Sequence, residues 1–208
     1  MQSALSDRLL ERWDALLPGS LALGVELVGR YDHATRHYHD LRHLLEVLDR
    51  IELLTRQDDG ALTDALVFAA WFHDSVYDMR RTDNEEASAR FARDGLTSHG
   101  VADDVVSEVA RLVRITGSHR PESWDTAAAT LCDADLAILA ADPDRYAEYV
   151  RGVRAEYHRV RDAEFGRRRA EVLRDLLDRE HLFSTPAGRI WWEAQARKNV
   201  AAELEALG

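Results

Sequence analysis

Histidine is the first residue type in this sequence that could do chemistry, because four of the nine histidines fall within eleven residues. They are His33, His37, His39 and His43. His39 and His43 are four residues apart, so on a helix they share one face. Such a group is also typical of a solvated helix face, and it needs further polar residues elsewhere in the chain to indicate a site.

Two further groups of polar residues interrupt apolar segments. The segment ALVFAAWF is apolar nearly all round, as expected of a helix at the centre of a bundle, yet it ends in His73 and Asp74. Burying an imidazole and a carboxylate is unfavourable unless they are paired or bind a metal. In TLCDADLAIL, Asp133 and Asp135 are two residues apart and point to different faces of the helix, so one of them should point inward.

One metal site would explain these three groups together. A central helix that ends in His-Asp, a flanking helix that offers His and a later helix that offers Asp can converge on one point. Two neutral imidazoles and two carboxylates suit a divalent ion such as Mn²⁺, Co²⁺, Ni²⁺, Fe²⁺, Zn²⁺ or Mg²⁺. Four protein ligands would leave an octahedral ion open positions for water and substrate.

The chain resembles the HD-domain superfamily of metal-dependent phosphohydrolases, whose H…HD…D signature appears here in order. The resemblance is to a bacterial subgroup of predicted HD phosphohydrolases. It is carried by the segments RHYHDLRHLLEVL, AAWFHDSVYD, DNEEAS, LCDADLAIL, YVRGVRAEY and EAQARKNVAAEL. It extends from about Arg30 to Leu204, and it implies an HD-type fold and a hydrolase that acts on phosphate ester or anhydride bonds.

The resemblance also implies the metal ligands, which are His43, His73, Asp74 and Asp135. His43 is favoured over His39 because an apolar helical stretch follows it, as in the family pattern. Asp135 is favoured over Asp133 because it lies between an alanine and a leucine. Asp133 is then expected to support the site or to cap a backbone group.

We expect Arg36, His39 and His119 to bind the phosphate of the substrate. Arg36 and His39 lie seven and four residues before His43, so both could face the mouth of the site. His119 follows a helix break at Gly117 and could bind phosphate or a second metal. Water activated by the metal would attack phosphorus, and cationic side chains would stabilise the charge of the transition state. The alternative for Arg36 is a solvated surface position.

A general acid is needed if the leaving group is an alkoxide. The candidates are Asp78, shortly after the His-Asp pair, and Glu85 in the DNEE segment. Glu85 has a competing structural role, because Thr82 and Glu85 have the spacing of a helix-capping box. The roles of Asn84 and Arg154 stay open.

Composition limits the partners. The 208 residues carry 27 Lys and Arg against 38 Asp and Glu, a net charge of −11 that argues against binding a nucleic-acid polymer. No apolar stretch approaches the roughly 20 residues that span a bilayer, and the segment MQSALSDRLLERWD has no secretory apolar core. The single cysteine, Cys132, excludes an internal disulfide. We therefore expect a cytoplasmic enzyme whose substrate is a small phosphorylated compound, with a nucleotide as the leading candidate.

The elements that must position these residues are helices. Apolar residues recur at helical spacing nearly everywhere, and alternating strand patterns are nearly absent. We predict an all-α, single-domain bundle of nine to ten helices over residues 1–208, with a metal-site core at about 30–140 and C-terminal helices at 143–207. The third helix should end at Asp58-Asp59-Gly60, the eighth should run from Pro143 toward Phe165, and the last should run from Pro186 to about Leu207.

Two other functions stay open. A non-catalytic HD module would bind a metal or a nucleotide for regulation, although a degenerate domain tends to lose at least one ligand and all four are present here. An HD-type di-iron oxygenase would need extra histidines for a second iron, and His39 and His119 are the available sources.

Overall fold

The computed structural model describes residues 2–58 and 61–208, and all regular structure in these two ranges is helical. The eleven α-helices found there are α1 Gln2–Leu16, α2 Leu21–Tyr31, α3 Leu41–Gln57, α4 Asp64–Phe72, α5 Asn84–Ser98, α6 Asp103–Ile115, α7 Thr126–Leu136, α8 Pro143–Glu156, α9 Asp162–Asp178, α10 Pro186–Trp191 and α11 Glu193–Leu207. A 3-10 turn at Ala137–Ala140 follows α7 directly. The predicted all-α class is confirmed. Within the described ranges, none of the helices has the length and apolarity needed to cross a bilayer.

Helix α4 forms the centre of the bundle, as its apolar sequence predicts. It packs against α3, α5, α6 and α7, and all its residues from Ala65 to Phe72 except Val67 are buried. Thr63 caps its N-terminus by accepting a hydrogen bond from the backbone N–H of Leu66 at 3.2 Å. Because α4 is enclosed, His73 at its C-terminal end is enclosed as well.

The buried apolar side chains form two clusters. The first cluster is formed mainly by side chains of the seven helices from α1 through α7, and we call it the N-terminal core. The second joins the 3-10 turn, α8, α9, α11 and Tyr38. We call helices α8–α11 the C-terminal layer.

Helix α8 ends at Glu156 rather than near Phe165. The guanidinium of Arg154 donates hydrogen bonds to the carbonyl oxygens of Tyr157 at 2.8 Å and Val160 at 3.0 Å. These bonds satisfy backbone groups in a tight turn, and α9 begins two residues after Val160. Arg154 therefore shapes the junction between α8 and α9.

Two other predicted helix ends can be compared with the structure. Helix α3 ends at Gln57 with Asp58 at its C-cap, whereas Asp59 and Gly60 lie outside the described residues. The predicted last helix is divided at Trp192 into α10 and α11, although Thr185 caps α10 as its sequence indicates. The division of this helix into two partly explains why the described ranges contain eleven α-helices, when nine to ten were expected.

The predicted capping box of Thr82 and Glu85 is wrong. Helix α5 begins at Asn84 with Asp83 at its N-cap, so Thr82 lies before the helix. The amide of Asn84 closes the preceding loop instead, because it accepts from the N–H of Asp78 at 3.0 Å and donates to the carbonyl of Asp78 at 3.1 Å. Glu85 is thereby free of the structural role that its spacing suggested.

Candidate metal centre

The four predicted ligands converge beside the end of α4. His73 and Asp74 follow α4, His43 lies in the first turn of α3, and Asp135 lies near the end of α7. The Nε2 atoms of His43 and His73 are 3.0 Å apart. Asp135 Oδ1 lies 3.3 Å and 3.9 Å from these two nitrogens, and Asp74 Oδ2 lies 3.6 Å and 3.4 Å from them.

These donors fit a divalent ion. Two ligand atoms that each lie about 2.1 Å from one ion, at right angles to each other, are about 3.0 Å apart. The separations between 3.0 and 3.9 Å all lie below about 4.2 Å, the largest separation of two atoms that bind one ion at that distance. Donor atoms of His43, His73 and Asp135 all lie within 4.8 Å of one another, and the mixed nitrogen and oxygen set suits a transition ion or Mg²⁺.

The ring of His73 is oriented for this role by the backbone. Its Nδ1 lies 2.7 Å from the carbonyl oxygen of Ala70, so Nδ1 carries the hydrogen and donates it. In the neutral ring, Nε2 then presents its lone pair to the cluster, an arrangement common among metal-binding histidines. His43 is fully buried, and its Nδ1 lacks a hydrogen-bond partner among the described residues.

The charges within the cluster are strongly coupled. Burial lowers the pKa of His43. Burial also opposes the charged form of His73, but Asp74, Asp135 and the carbonyl of Ala70 together outweigh it and raise the pKa of His73 to about 9. Burial also disfavours the charged carboxylates, but the neighbouring imidazoles hold the pKa of Asp74 and of Asp135 below the usual range. Without a metal, a proton on His73 thus balances the carboxylates, and a bound cation would replace that proton.

His39 lies beside the cluster on its outer side. Its Nε2 is 4.0 Å from Asp74 Oδ2, and its Nδ1 is 2.7 Å from Glu156 Oε2. Its ring stacks on Tyr77, with 4.2 Å between the ring centroids. Burial opposes its charged form, but Asp74 and Glu156 outweigh burial and raise the pKa of His39.

Glu156, at the end of α8, was not predicted as a site residue. Its Oε1 accepts hydrogen bonds from three consecutive backbone N–H groups, those of residues 37, 38 and 39, at 2.9, 2.9 and 3.0 Å. Burial would raise its pKa, but the hydrogen bond from His39 contributes most to lowering it, to about 2. Glu156 therefore fixes both the backbone and the ring of His39.

The sequence does contain a signal for Glu156. The buried face of α8 is formed by Tyr146, Tyr149, Gly152, Val153 and Glu156. An acid at helical spacing on an otherwise apolar face is the same type of anomaly that indicated the candidate metal ligands in the sequence. Gly152 is needed there, because a Cβ atom at this position would lie 2.7 Å from the carbonyl oxygen of His37.

His119 lies next to Asp135, in the segment that follows α6. Its Nε2 is 2.7 Å from Asp135 Oδ2. It is the only non-glycine residue in the described ranges with a positive φ, at 49°. A left-handed conformation is unfavourable for such a residue and persists where the surroundings impose it.

Arg179, the second residue that was not predicted, imposes that conformation on His119. It donates to the carbonyl oxygens of His119 at 3.0 Å and Ser118 at 3.3 Å, and it pairs with Asp175 at 3.0 Å. No spacing in the sequence indicates this contact, because α9 and the loop after α6 are distant in the chain.

Arg36 supports the backbone of the site. Its guanidinium donates to the carbonyl oxygen of His39 at 2.9 Å and to that of Ser75 at 3.3 Å, and it lies 4.9 Å above the ring of Tyr31. It thus ties the His39 segment to the segment that follows the His-Asp pair. It lines a groove of about 760 Å³, and Asp135 lines a different cavity, which we call the chamber.

Asp78 also lies in that separate groove, and the structure does not bring it to the cluster. Its two carboxylate oxygens pair with Arg80 at 3.0 Å and 2.7 Å, which holds the pKa of Asp78 below its usual range. A general acid at neutral pH needs a raised pKa instead.

Glu85 is better placed than Asp78. It lines a chamber of about 430 Å³ together with His39, His119 and Asp135. Its side chain packs against Gly117, where an added Cβ atom would come within 3.3 Å of the Glu85 carboxyl carbon. The rest of the chamber wall comes mainly from the 3-10 turn, α8 and α9.

Asp133 is turned away from the cluster and holds the segment before α10. It accepts hydrogen bonds from the N–H groups of Ser184 at 2.8 Å and Thr185 at 2.7 Å. Burial raises the pKa of Asp133 to about 6, against the effect of these donors. The two aspartates of α7 therefore have different contacts, as their spacing predicts.

Comparisons with protein-family models, with curated proteins and with solved structures each found no match. Any account of the function therefore depends on the chemistry of the site.

Proposed function

We propose that this protein is a metal-dependent phosphohydrolase that cleaves a phosphoester or phosphoanhydride bond of a small phosphorylated compound, with a nucleotide as the leading candidate. The observation that carries the proposal is the convergence of two imidazole nitrogens and two carboxylates, from α3, α4 and α7, beside a chamber. The resemblance to HD proteins supports the same residues. The acidic net charge and single cysteine support a cytoplasmic enzyme that acts on small molecules.

His43, His73, Asp74 and Asp135 would hold a divalent ion. Such an ion, when bound, lowers the pKa of water and neutralises charge on a phosphoryl oxygen. The carbonyl of Ala70 keeps the lone pair of His73 Nε2 directed at the cluster. Asp135 presents one oxygen to the cluster and the other to His119, so it connects the ion site to the chamber.

The remaining side chains would handle the substrate. His39 faces Asp74 and is fixed by Glu156, so its ring would stand where phosphoryl oxygens approach, and its protonated form would offset their charge. His119 lines the chamber at Asp135. Of the two candidate general acids, Glu85 lines the chamber and would donate a proton to the leaving oxygen, whereas Asp78 lines the other groove.

A phosphate-release screen tests this proposal. Nucleotides and sugar phosphates are incubated with the protein while Mn²⁺, Co²⁺, Mg²⁺ and Ni²⁺ are each supplied separately. We expect release of phosphate that depends on the metal and is lost on chelation. Binding of metal and nucleotide without any release would support a regulatory module instead.

The His73→Ala variant links turnover to the cluster. It should lose metal binding and phosphate release while its far-UV circular dichroism stays helical, because the ring is held by one backbone carbonyl. His181→Ala is a matched control, since His181 is exposed and lines neither the chamber nor the groove. Full metal occupancy and turnover in His73→Ala would contradict the proposal.

A di-iron oxygenase is the second candidate, and the positions of His39 and His119 favour it. They flank the cluster at 4.0 Å from Asp74 and 2.7 Å from Asp135, where ligands of a second iron would be needed. Oxygen consumption by the iron-loaded protein would support this candidate. Phosphate release under nitrogen at the same rate as in air would support the hydrolase.

A further inference from the structure

The chamber beside Asp135 limits which phosphorylated compounds can fit, if the proposed function is correct. Tyr38 lies next to His39 and His43, and the walls beyond it are aromatic and aliphatic, with Tyr149, Tyr157, Phe165, Val153 and Val172. The rings form two edge-on or tilted pairs, Tyr38 with Tyr149 at 4.6 Å and Tyr157 with Phe165 at 5.6 Å between centroids. Walls of this kind favour a flat apolar group, which can stack on the rings or meet their edges.

The two arginines of the chamber already have carboxylate partners, Arg169 in a buried pair and Arg168 in an exposed one. Arg169 is mostly buried and donates to Glu203 at 2.8 Å and to the hydroxyl of Tyr149 at 2.9 Å. Arg168 pairs with Glu164 at 2.5 Å. No other Arg or Lys occurs among the described residues that line the chamber.

A second or third phosphate would therefore enter the chamber without a free cation to meet it. It would also approach the carboxyl group of Glu85, which lines the same space. Moving an unpaired negative charge from water into such surroundings is unfavourable. The chamber thus discriminates against phosphoanhydrides with more than one charged phosphate group.

Apart from its charged side chains and histidines, the polar groups of the chamber are hydroxyls, those of Thr116 and of the tyrosines. Its volume of about 430 Å³ lies toward the small end of the usual range for ligand sites. The described lining contains neither Asn nor Gln, the side chains that typically form paired hydrogen bonds with a nucleobase. Shape and stacking would therefore dominate recognition of the organic part.

From these contacts we infer that the substrate is a phosphomonoester whose organic part is flat, uncharged and mostly apolar. Within the proposed function, this moves the leading candidate from a nucleotide to an aromatic or similarly flat phosphomonoester. The phosphate lies at the end with His39, His119 and Asp135, and the organic part extends between α8 and α9. Hydrolysis joins the oxygen of water to phosphorus and breaks the P–O bond to the organic part. One proton of water ends on the leaving oxygen, and the products are an alcohol or phenol and inorganic phosphate.

The test compares 1-naphthyl phosphate, phenyl phosphate and adenosine triphosphate as substrates. In the metal-loaded wild type, kcat/KM for adenosine triphosphate should be about 100-fold below that for 1-naphthyl phosphate, equivalent to about 2.7 kcal/mol. Equal or better use of adenosine triphosphate would overturn the inference.

A pair of valine variants tests the chamber itself. Val172 on α9 lines it yet is 52% exposed, so Val172→Trp can narrow it without entering the core. Val25 on α2 is 53% exposed and lines neither cavity, so Val25→Trp is the matched control. Val172→Trp should raise KM for 1-naphthyl phosphate about tenfold, with a smaller change for phenyl phosphate, and Val25→Trp should change neither. An unchanged KM in Val172→Trp would overturn the inference.

A binding measurement separates failure of this inference from failure of the proposed function. The probe is 1-naphthol, added to the metal-free protein while methyl resonances are recorded by NMR. The methyl groups of Val153 and Leu139, which line the chamber, should shift, and those of Val25 should not. If no compound releases phosphate but these shifts occur, the hydrolase proposal fails and the preference of the chamber stands. If the shifts are absent, the inference itself fails.

Discussion

The N-terminal core and the C-terminal layer contribute to the same site in different ways. The core supplies all four candidate ligands, at one end of α3, α4 and α7. The layer supplies none of these ligands. Through Glu156 and Arg179, it holds the two outer histidines, His39 and His119. The positions of the four candidate ligands and the orientation of the two histidines around them thus depend on separate parts of the fold.

Variants of the N-terminal core and of the C-terminal layer should therefore differ in metal binding. Changes in the core ligands should remove the metal. Changes in the layer should leave the metal bound but disturb His39 or His119, and so alter stability or turnover.

The largest effect expected from the layer is that of Glu156→Gln. The pKa of Glu156 falls from an ordinary 4.5 to about 2 in the folded protein, so its charged form stabilises the fold by about 3 kcal/mol at neutral pH. A depressed folded pKa gives stability that is present above pH 4.5 and is lost as the pH falls toward 2. Urea unfolding of both proteins between pH 7 and pH 2.5 should show this difference shrink.

The same variant tests the division between layer and core. Metal affinity at pH 7 should change less than about threefold, because Glu156 touches His39 and not the four ligands. A loss of metal as large as that in His73→Ala would mean that the layer helps to bind the ion. A stability difference that did not depend on pH would show that the charge of Glu156 is not what holds the 37–39 segment.

A smaller effect is expected from Arg179→Met. Without the two bonds to the carbonyls of Ser118 and His119, the left-handed conformation of His119 can relax and its ring can leave Asp135. We expect kcat to fall about tenfold, equivalent to about 1.4 kcal/mol, with metal affinity unchanged.

Two further variants test whether the loss of kcat comes from the position of His119. Arg179→Lys should recover part of kcat, because an ammonium group can still donate to one carbonyl. Arg174→Met removes an exposed arginine from the same helix and should leave kcat unchanged. Equal losses in Arg174→Met and Arg179→Met would show that positioning of His119 is not the cause.

The smallest effect expected is that of Asp78→Asn. Asp78 lies in the other groove and pairs with Arg80 at the surface, where ion pairs contribute little. Phosphate release should change less than about twofold, whereas Glu85→Gln should lower it more because Glu85 lines the chamber. The reverse order would mean that the groove, and not the chamber, receives the substrate.

The sequence indicates most of the candidate ligands because they interrupt apolar helices, whereas the resemblance to HD proteins decided for His43 over His39 and for Asp135 over Asp133. His73 and Asp74 end a helix that is apolar all round, and Asp135 interrupts another apolar helix. Burying a polar residue in such a place is unfavourable by itself, so several of them in this order indicate that they form one site. The all-α class followed from helical spacing in the same way.

Contacts that depend on tertiary structure could not be predicted from the sequence. Arg154 satisfies carbonyls beyond its own helix and so ends α8 early, and Asn84 takes over the loop that a capping box was expected to close. Arg36 and Asp78 have suitable types and spacing, yet the fold turns both into a groove away from the cluster. Spacing along a chain predicts which residues share a helix face, but not which cavity that face meets.

Binding of Co²⁺ to two variants of α7 tests the central claim most directly. Asp133 and Asp135 are two residues apart, and only Asp135 faces the imidazoles, whereas Asp133 holds the backbone at Ser184 and Thr185. In titrations followed by the visible absorption of Co²⁺, with folding checked by circular dichroism, Asp133→Asn should match the wild type and Asp135→Asn should bind about 100-fold more weakly. Wild-type affinity in Asp135→Asn, or a larger loss in Asp133→Asn, would contradict a metal centre formed by His43, His73, Asp74 and Asp135.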